Sequence, residues 1–167
     1  MNQTVSIRQA TPEDAASVAA LMTGLNLVVG VSGIPEPEAM LPEHAIFTAE
    51  LTGRRMQAMS SVEEVFLAAI EGNDVGFMSL RLVPYLDQDV PYAEVMNLYV
   101  RPEAQRRGVA SALVARAEAV ARDRGATVMR ILTGADNHGA QAFYRAAGYE
   151  IPNVSCEKFL IGAAANG

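Results

Sequence analysis

Residues 95–114 read VMNLYVRPEAQRRGVASALV. The stretch reads as a strand, a tight loop and a helix. The loop is Gln105-Arg106-Arg107-Gly108-Val109-Ala110, and its small residues fall where the helix begins. The first N–H groups of a helix lack intrahelical partners, and the helix dipole places partial positive charge on them. A helix opened by Gly has no side chain in the way, so an anion can approach the bare amides. Arg106 and Arg107 add charge of the right sign. The unit is an anion site, and it points to a phosphorylated ligand.

Outward from this unit the chain supplies a sheet. Val5-Ser-Ile-Arg8 alternates as a first strand. Thr11-Pro12-Glu13-Asp14 is a helix start, with Thr as N-cap, Pro at the first helical position and acids in the first turn. The apolar spacing of Ala15, Val18, Ala19 and Met22 carries that helix to Met22 or Leu25. Gly24 to Pro37, broken by Gly and Pro, predicts a loop. A second helix opens near Pro37, breaks at Pro42 and resumes from Glu43 to Met59, with Gly53 working against it.

Glu64–Ile70 and Val75–Val83 read as strands joined by the hairpin signal Glu71-Gly-Asn-Asp74. Pro84 to Pro91 connects to a central strand, Tyr92–Val100. A helix over 107–124 ends at Gly125. A strand over Thr127–Leu132, a short helix over Asn137–Ala147 closed at Gly148, and strands at Tyr149–Ile151 and Ser155–Ile161 complete the chain. The sum is an α+β fold: a mixed, mostly antiparallel sheet flanked by helices. One domain over residues 1–162 is expected, with a frayed tail at 163–167.

Composition narrows the function classes. Half of the 167 residues are apolar, enough for a sizeable core, and the net charge is −6. That balance argues against nucleic acid and against an anionic membrane surface, and suits a cationic small molecule. The single cysteine, Cys156, excludes an internal disulfide and fits a reducing cytoplasm. No apolar run approaches the ~20 residues of a spanning helix, and no leader pattern opens the chain. No His, Cys, Asp and Glu cluster has metal-ligand spacing, so no metal is expected. A dinucleotide-binding fold would show Gly-x-Gly-x-x-Gly after a first strand, and none is present.

The loop Gln105 to Ala110 after a strand resembles the Q/R-x-x-G-x-G/A signature of the GNAT N-acetyltransferase superfamily. A second block, Asn137-His-Gly-Ala-Gln-Ala-Phe-Tyr-Arg-Ala-Ala-Gly-Tyr149, is similar to that family's N-x-x-A-x-x-F-Y-x-x-x-G-F/Y pattern. The two stand in the family's order and at its spacing. The resemblance implies acetyl-CoA as acyl donor. It implies that Gln105, Arg106, Arg107, Gly108, Val109, Ala110 and Ser111 cradle the pyrophosphate. It further implies that backbone groups of Leu98, Tyr99 and Val100 meet the pantetheine arm, where two strands splay apart. Asn137 suits the N-cap of the last helix, and the resemblance implies a contact from it to pantetheine.

Acetyl transfer to an amine in a ternary complex needs a neutral amine, a polarised carbonyl and a protonated leaving group. A lysine-like amine has a pKa of about 10.4, so a base must take its proton. Tyr92-Ala93-Glu94-Val95 is similar to the strand opening that carries the catalytic glutamate in the histone-acetylating branch, which makes Glu94 the candidate base. A solvent-facing strand end, or a partner for Arg81 across the hairpin, is the other reading of Glu94. Tyr144, in the Phe-Tyr pair of the second block, is the candidate acid; a satisfied core aromatic is the alternative. The resemblance offers the Tyr99 N–H as oxyanion donor. Period-2 alternation places Asn97 on the face opposite Glu94.

Gly30 to Glu38 is a flexible segment able to cover the acceptor side, made acidic with Glu43 by Glu36 and Glu38; His44 lies in the same region. A primary amine on a small molecule is the expected acceptor. Acetylation of a protein lysine or N-terminus, and an acetyl-CoA-sensing module without turnover, remain alternatives. Family members often dimerise, so a homodimer stays open.

Overall fold

In the computed structural model, residues 4–29 and 47–150 are described. Five strands form one sheet in chain order: β1 (Val5–Gln9), β2 (Glu63–Ile70), β3 (Asn73–Val83), β4 (Tyr92–Val100) and β5 (Met129–Ile131). The first three junctions are antiparallel and β4–β5 is parallel. The expected mixed, mostly antiparallel α+β layout is therefore present. The β2–β3 turn is Glu71-Gly72, with φ of 52° and 79°. Two successive positive φ values make the turn whose twist matches a hairpin, and Gly at the second position suits it.

Four helices cover the sheet: α1 (Ala15–Val29), α2 (Ala49–Met59), α3 (Val109–Asp123) and α4 (His138–Ala146). Val109, Leu113, Ala117, Val120 and Ala121 form the buried stripe of α3. They pack on Phe66, Ala68, Ile70, Met78, Leu80, Ala93, Val95 and Val100 from one face of the sheet. Leu67 and Phe77 point to the other face, against Val18 and Leu21 of α1. β2 and β3 are thus buried on both faces, which is why Phe66–Ile70 reads as a continuous apolar run rather than an alternation.

Several boundaries differ from expectation, each for a packing reason. The first helix runs past the expected end at Met22 or Leu25, to Val29. A Cβ on Gly24 would come 2.6 Å from the Tyr99 hydroxyl oxygen, so this glycine lets a β4 ring approach and is no helix breaker. Gly53 plays the same part in α2: its Cβ would sit 3.3 Å from Ala15 Cβ. Within the described residues α2 begins at Ala49, capped by Thr48, whose hydroxyl accepts the Leu51 N–H at 3.2 Å. The third helix starts at Val109 and not at 107, because Arg106 (φ 59°) and Gly108 (φ 80°) are both left-handed. β5 keeps only three of the residues expected over 127–132.

The ladder between β3 and β4 contains a bulge. Ser79 opposes Asn97 and Leu80 opposes Val95, so Met96 is the extra residue. One extra residue inverts the alternation beyond it. Asn97 therefore lies on the same face as Glu94, not the opposite one: their partners Ser79 and Arg81 share a face of β3. Asn97 Nδ2 donates to Ser79 Oγ at 3.0 Å. The segment Gly30–Glu38, the helix start at Pro37 and its continuation from Glu43, His44, the strand over Ser155–Ile161, Cys156 and the tail lie outside the described residues.

Candidate active site

The parallel pair β4–β5 is short. Ala93, Glu94 and Val95 oppose Met129, Arg130 and Ile131, and the Ala93 N–H donates to Val128 O at 2.8 Å. From Met96 onward, β4 has no strand partner on that side among the described residues. The two strands part there, beside the start of α3. The backbone groups that face the parting follow from alternation. Arg101 N–H donates to Val75 O at 2.8 Å, so residues 101 and 75 form a hydrogen-bonded pair. Bonded and non-bonded pairs alternate along an antiparallel ladder. Tyr99 then directs its N–H and C=O at Phe77, whereas Leu98 and Val100 turn theirs away from β3 and toward the parting. The Tyr99 amide is thus directed at β3, and the Leu98 amide faces the parting.

Gln105 closes the turn below. Its Nε2 donates to Val100 O at 3.1 Å, tying the loop to the end of β4. Gly108 is the N-cap of α3 and provides no side-chain cap. The amides of Val109, Ala110 and Ser111 precede the first helical acceptor bond, which is Ala112 N–H to Gly108 O at 2.9 Å. Nothing stands within 4 Å of a Cβ built on Gly108, so the approach to these amides is open. Arg106 and Arg107 are exposed next to it, and Arg107 reaches back to Glu103 O at 3.4 Å. This donor set fits a diphosphate: bare amides at the positive end of a 15-residue helix, flanked by two guanidinium groups.

A cavity of about 1410 Å³ opens along β5, the C-terminal half of α3 and α4, with Glu94, Arg130 and Tyr144 in its wall. It does not include the loop 105–110. Glu94 and Tyr144 both line this cavity, and the anion site lies toward the opposite end of α3. Glu94 is partly buried and has no hydrogen bond or ion pair among the described residues. Its cross-strand neighbour Arg81 pairs with Glu63 instead, Nη2 to Oε2 at 2.8 Å. Tyr144 is 9 % exposed, with edge contacts to Phe143 at 5.2 Å and Tyr149 at 5.9 Å. Burial pushes its phenol above the usual tyrosine value. Asn137 caps α4, its Oδ1 accepting the Ala140 N–H at 3.1 Å.

Two groups in this wall were not singled out from the sequence. Arg130 lies 4.3 Å above the Tyr92 ring and donates to Tyr85 Oη at 3.1 Å. Tyr149 donates from its hydroxyl to Glu118 Oε1 at 3.0 Å, and Glu118 pairs with Arg122. Neither contact has a local signal, because the partners are far apart in the chain. Among the described residues no His, Cys, Asp and Glu group could hold a metal ion, and no helix is long and apolar enough to cross a membrane.

The model of the Acetyltransferase (GNAT) family matches residues 35–149. The chain is 34% identical over 149 residues to an aminoglycoside N(6′)-acetyltransferase type 1 of Stenotrophomonas maltophilia, covering 87% of this chain and 86% of that protein. It is 32% identical over 125 residues to the enzyme of the same description from Klebsiella aerogenes, covering 72% and 80%. Among solved structures, AAC(6′)-Iy in complex with the bisubstrate analog CoA-S-monomethyl-acetylneamine superposes with a TM-score of 0.72 at 18% identity, over 95% of this chain and 99% of that one.

Proposed function

The chain belongs to the GNAT acetyltransferase family and transfers the acetyl group of acetyl-CoA to an amine on a small molecule; we propose that its acceptor is an aminoglycoside, acetylated on a primary amine. The observation that carries this reading is the identity to two aminoglycoside N(6′)-acetyltransferases over most of both lengths. The net charge of −6 supports it, since an acidic protein attracts a polycationic acceptor.

Acetyl-CoA supplies the acetyl group as an activated thioester. In the proposed site the chain does the following. The amides of Val109, Ala110 and Ser111, with Arg106, Arg107 and the open backbone at Gly108, hold the pyrophosphate. Gln105 braces that loop on Val100. The Leu98 C=O and the Val100 N–H, which face the parting next to Tyr99, would pair with the pantetheine arm, and Asn137 orders the start of α4. The Leu98 N–H, which faces the parting, would be the donor for the negative charge that develops on the transferred carbonyl. Glu94 accepts the proton of the ammonium, directly or through water. Tyr144 Oη holds a proton for the leaving group, and its raised phenol keeps that proton at neutral pH.

The test is thermal melting with and without acetyl-CoA, followed by thiol release with aminoglycosides that carry a 6′-amine. Matched compounds with a 6′-hydroxyl, and lysine peptides, serve as comparators. A ligand that binds only the native state raises the melting temperature. Expected are a clear shift and release confined to the 6′-amines. Release with lysine peptides alone would replace the acceptor by a protein. Gly108→Glu should abolish the shift while leaving the unliganded melting temperature within a few degrees, because an anion then stands before the bare amides; an undiminished shift would remove the anion site.

A further inference from the structure

Four side chains stand in register across the sheet on one face. Glu63 of β2 opposes Arg81 of β3, Arg81 opposes Glu94 of β4, and Glu94 opposes Arg130 of β5. The row alternates in sign. In-register neighbours on one face have Cβ atoms about 4.5–5.5 Å apart, so Arg81 stands between two carboxylates it could reach. It takes Glu63, at 2.8 Å, and the Glu63 side chain is only 7 % exposed. A carboxylate buried to that degree is costly without its partner, which makes this pairing the firm one. On the other flank Arg130 is drawn onto the Tyr92 ring and the Tyr85 hydroxyl. Both arginines beside Glu94 are thus engaged elsewhere, and its carboxylate has no partner among the described residues.

We infer that Glu63 is a positioning residue: it holds Arg81 off Glu94 so that Glu94 stays available as a base. The inference rests on the reading of Glu94 given above. An arginine within about 4–6 Å of a carboxylate lowers its pKa by 1–3 units and occupies the oxygens that must receive the proton. Among the described residues, the other groups near Glu94 do not take over this part. α1, which packs on the same face of β4, has no titratable side chain. Across the cavity Glu118 is tied to Arg122 and Tyr149, and Tyr144 and Glu150 complete the titratable wall.

The experiment is the pH profile of kcat/KM for Glu63→Gln, for the double variant Glu63→Gln/Arg81→Gln, and for Glu94→Gln. In Glu63→Gln the released Arg81 turns to Glu94. The acid limb should move down by about one pH unit and the plateau should fall about tenfold, with the KM for acetyl-CoA unchanged. The double variant should restore both. A Glu63→Gln profile that coincides with the parent, or a defect that the second substitution does not relieve, overturns the inference while Glu94→Gln still slows turnover. Should Glu94→Gln turn over at the parent rate, the base assignment itself falls. If Glu63→Gln fails to fold, Arg81→Gln alone decides: a parental profile supports the inference, and a displaced acid limb overturns it.

Discussion

Two tyrosines line the wall of the cavity, and their surroundings give them different roles. The Tyr149 hydroxyl donates to Glu118, so its proton is fixed in a structural bond. The Tyr144 phenol is raised by burial alone, and its hydroxyl has no hydrogen bond among the described residues. Of the two, Tyr144 is the one whose hydroxyl proton no bond among the described residues holds, as the proposed acid requires. Tyr144→Phe keeps the ring and its edge contacts, so the melting temperature should hold. Its kcat should fall about a hundredfold, the low end of general-acid effects, with the KM for acetyl-CoA little changed. The protonated form is the active one and its pKa is raised. In the parent, activity should therefore persist through neutral pH and decline only above the usual tyrosine value of about 10. Stopped or steady-state thiol release across pH measures both. An unaltered rate would leave Tyr144 as packing. Motif spacing made Tyr144 legible in the sequence, whereas the engagement of Tyr149 was not, because Glu118 lies on another helix.

At the scale of elements, α1 and β4 meet through a missing side chain. The Tyr99 ring fills the space a Cβ on Gly24 would need, with three ring or hydroxyl atoms within 2.8 Å of it. At an exposed helical site Gly→Ala gains about 1 kcal/mol of helix propensity. At Gly24 the overpacking cost of about 1–3 kcal/mol should outweigh it, so Gly24→Ala should lower stability in urea titration. A stabilised variant would show that Tyr99 yields freely. The same contact explains what the sequence hid. Strands and hairpin were legible because alternation, β-branched runs and turn residues are local. Gly24 and Gly53 read as interruptions, since the residues that need their emptiness, Tyr99 and Ala15, lie elsewhere in the chain. The loop at Gln105–Ala110 was legible because the bare helix start and its glycine are contiguous. That neither neighbouring arginine pairs with Glu94 was not legible, because it depends on where Glu63, Tyr85 and Tyr92 send them.

Across the whole molecule, Arg8 joins parts far apart in the chain. From β1 it pairs with Asp14 at the entry to α1, at 2.7 Å, and with Asp74 after the β2–β3 turn, at 3.3 Å. Its bond to Asp14, helped by the Thr11 N–H, holds that carboxyl below the usual aspartate value against the opposing effect of burial. A carboxyl whose folded pKa is depressed contributes stability above the unfolded value and loses it as pH falls through the folded one. Asp14→Asn should therefore cost at most about 1 kcal/mol near neutrality, in keeping with a partly exposed pair. The difference from the parent should vanish in acid below the folded value, as read from denaturant titrations at the two pH values; a gap that persists there would assign the effect to the cap and not to the charge. The bulge at Met96 reaches just as widely. Because one surplus residue decides which backbone groups of Leu98 and Val100 look outward, β4 counts residues at this point and does not only sort them by type. Met96 is 40 % exposed, so its identity is free to drift, while its removal would turn the wall of the cleft inside out. Related chains should vary at this position in kind and hold constant in number.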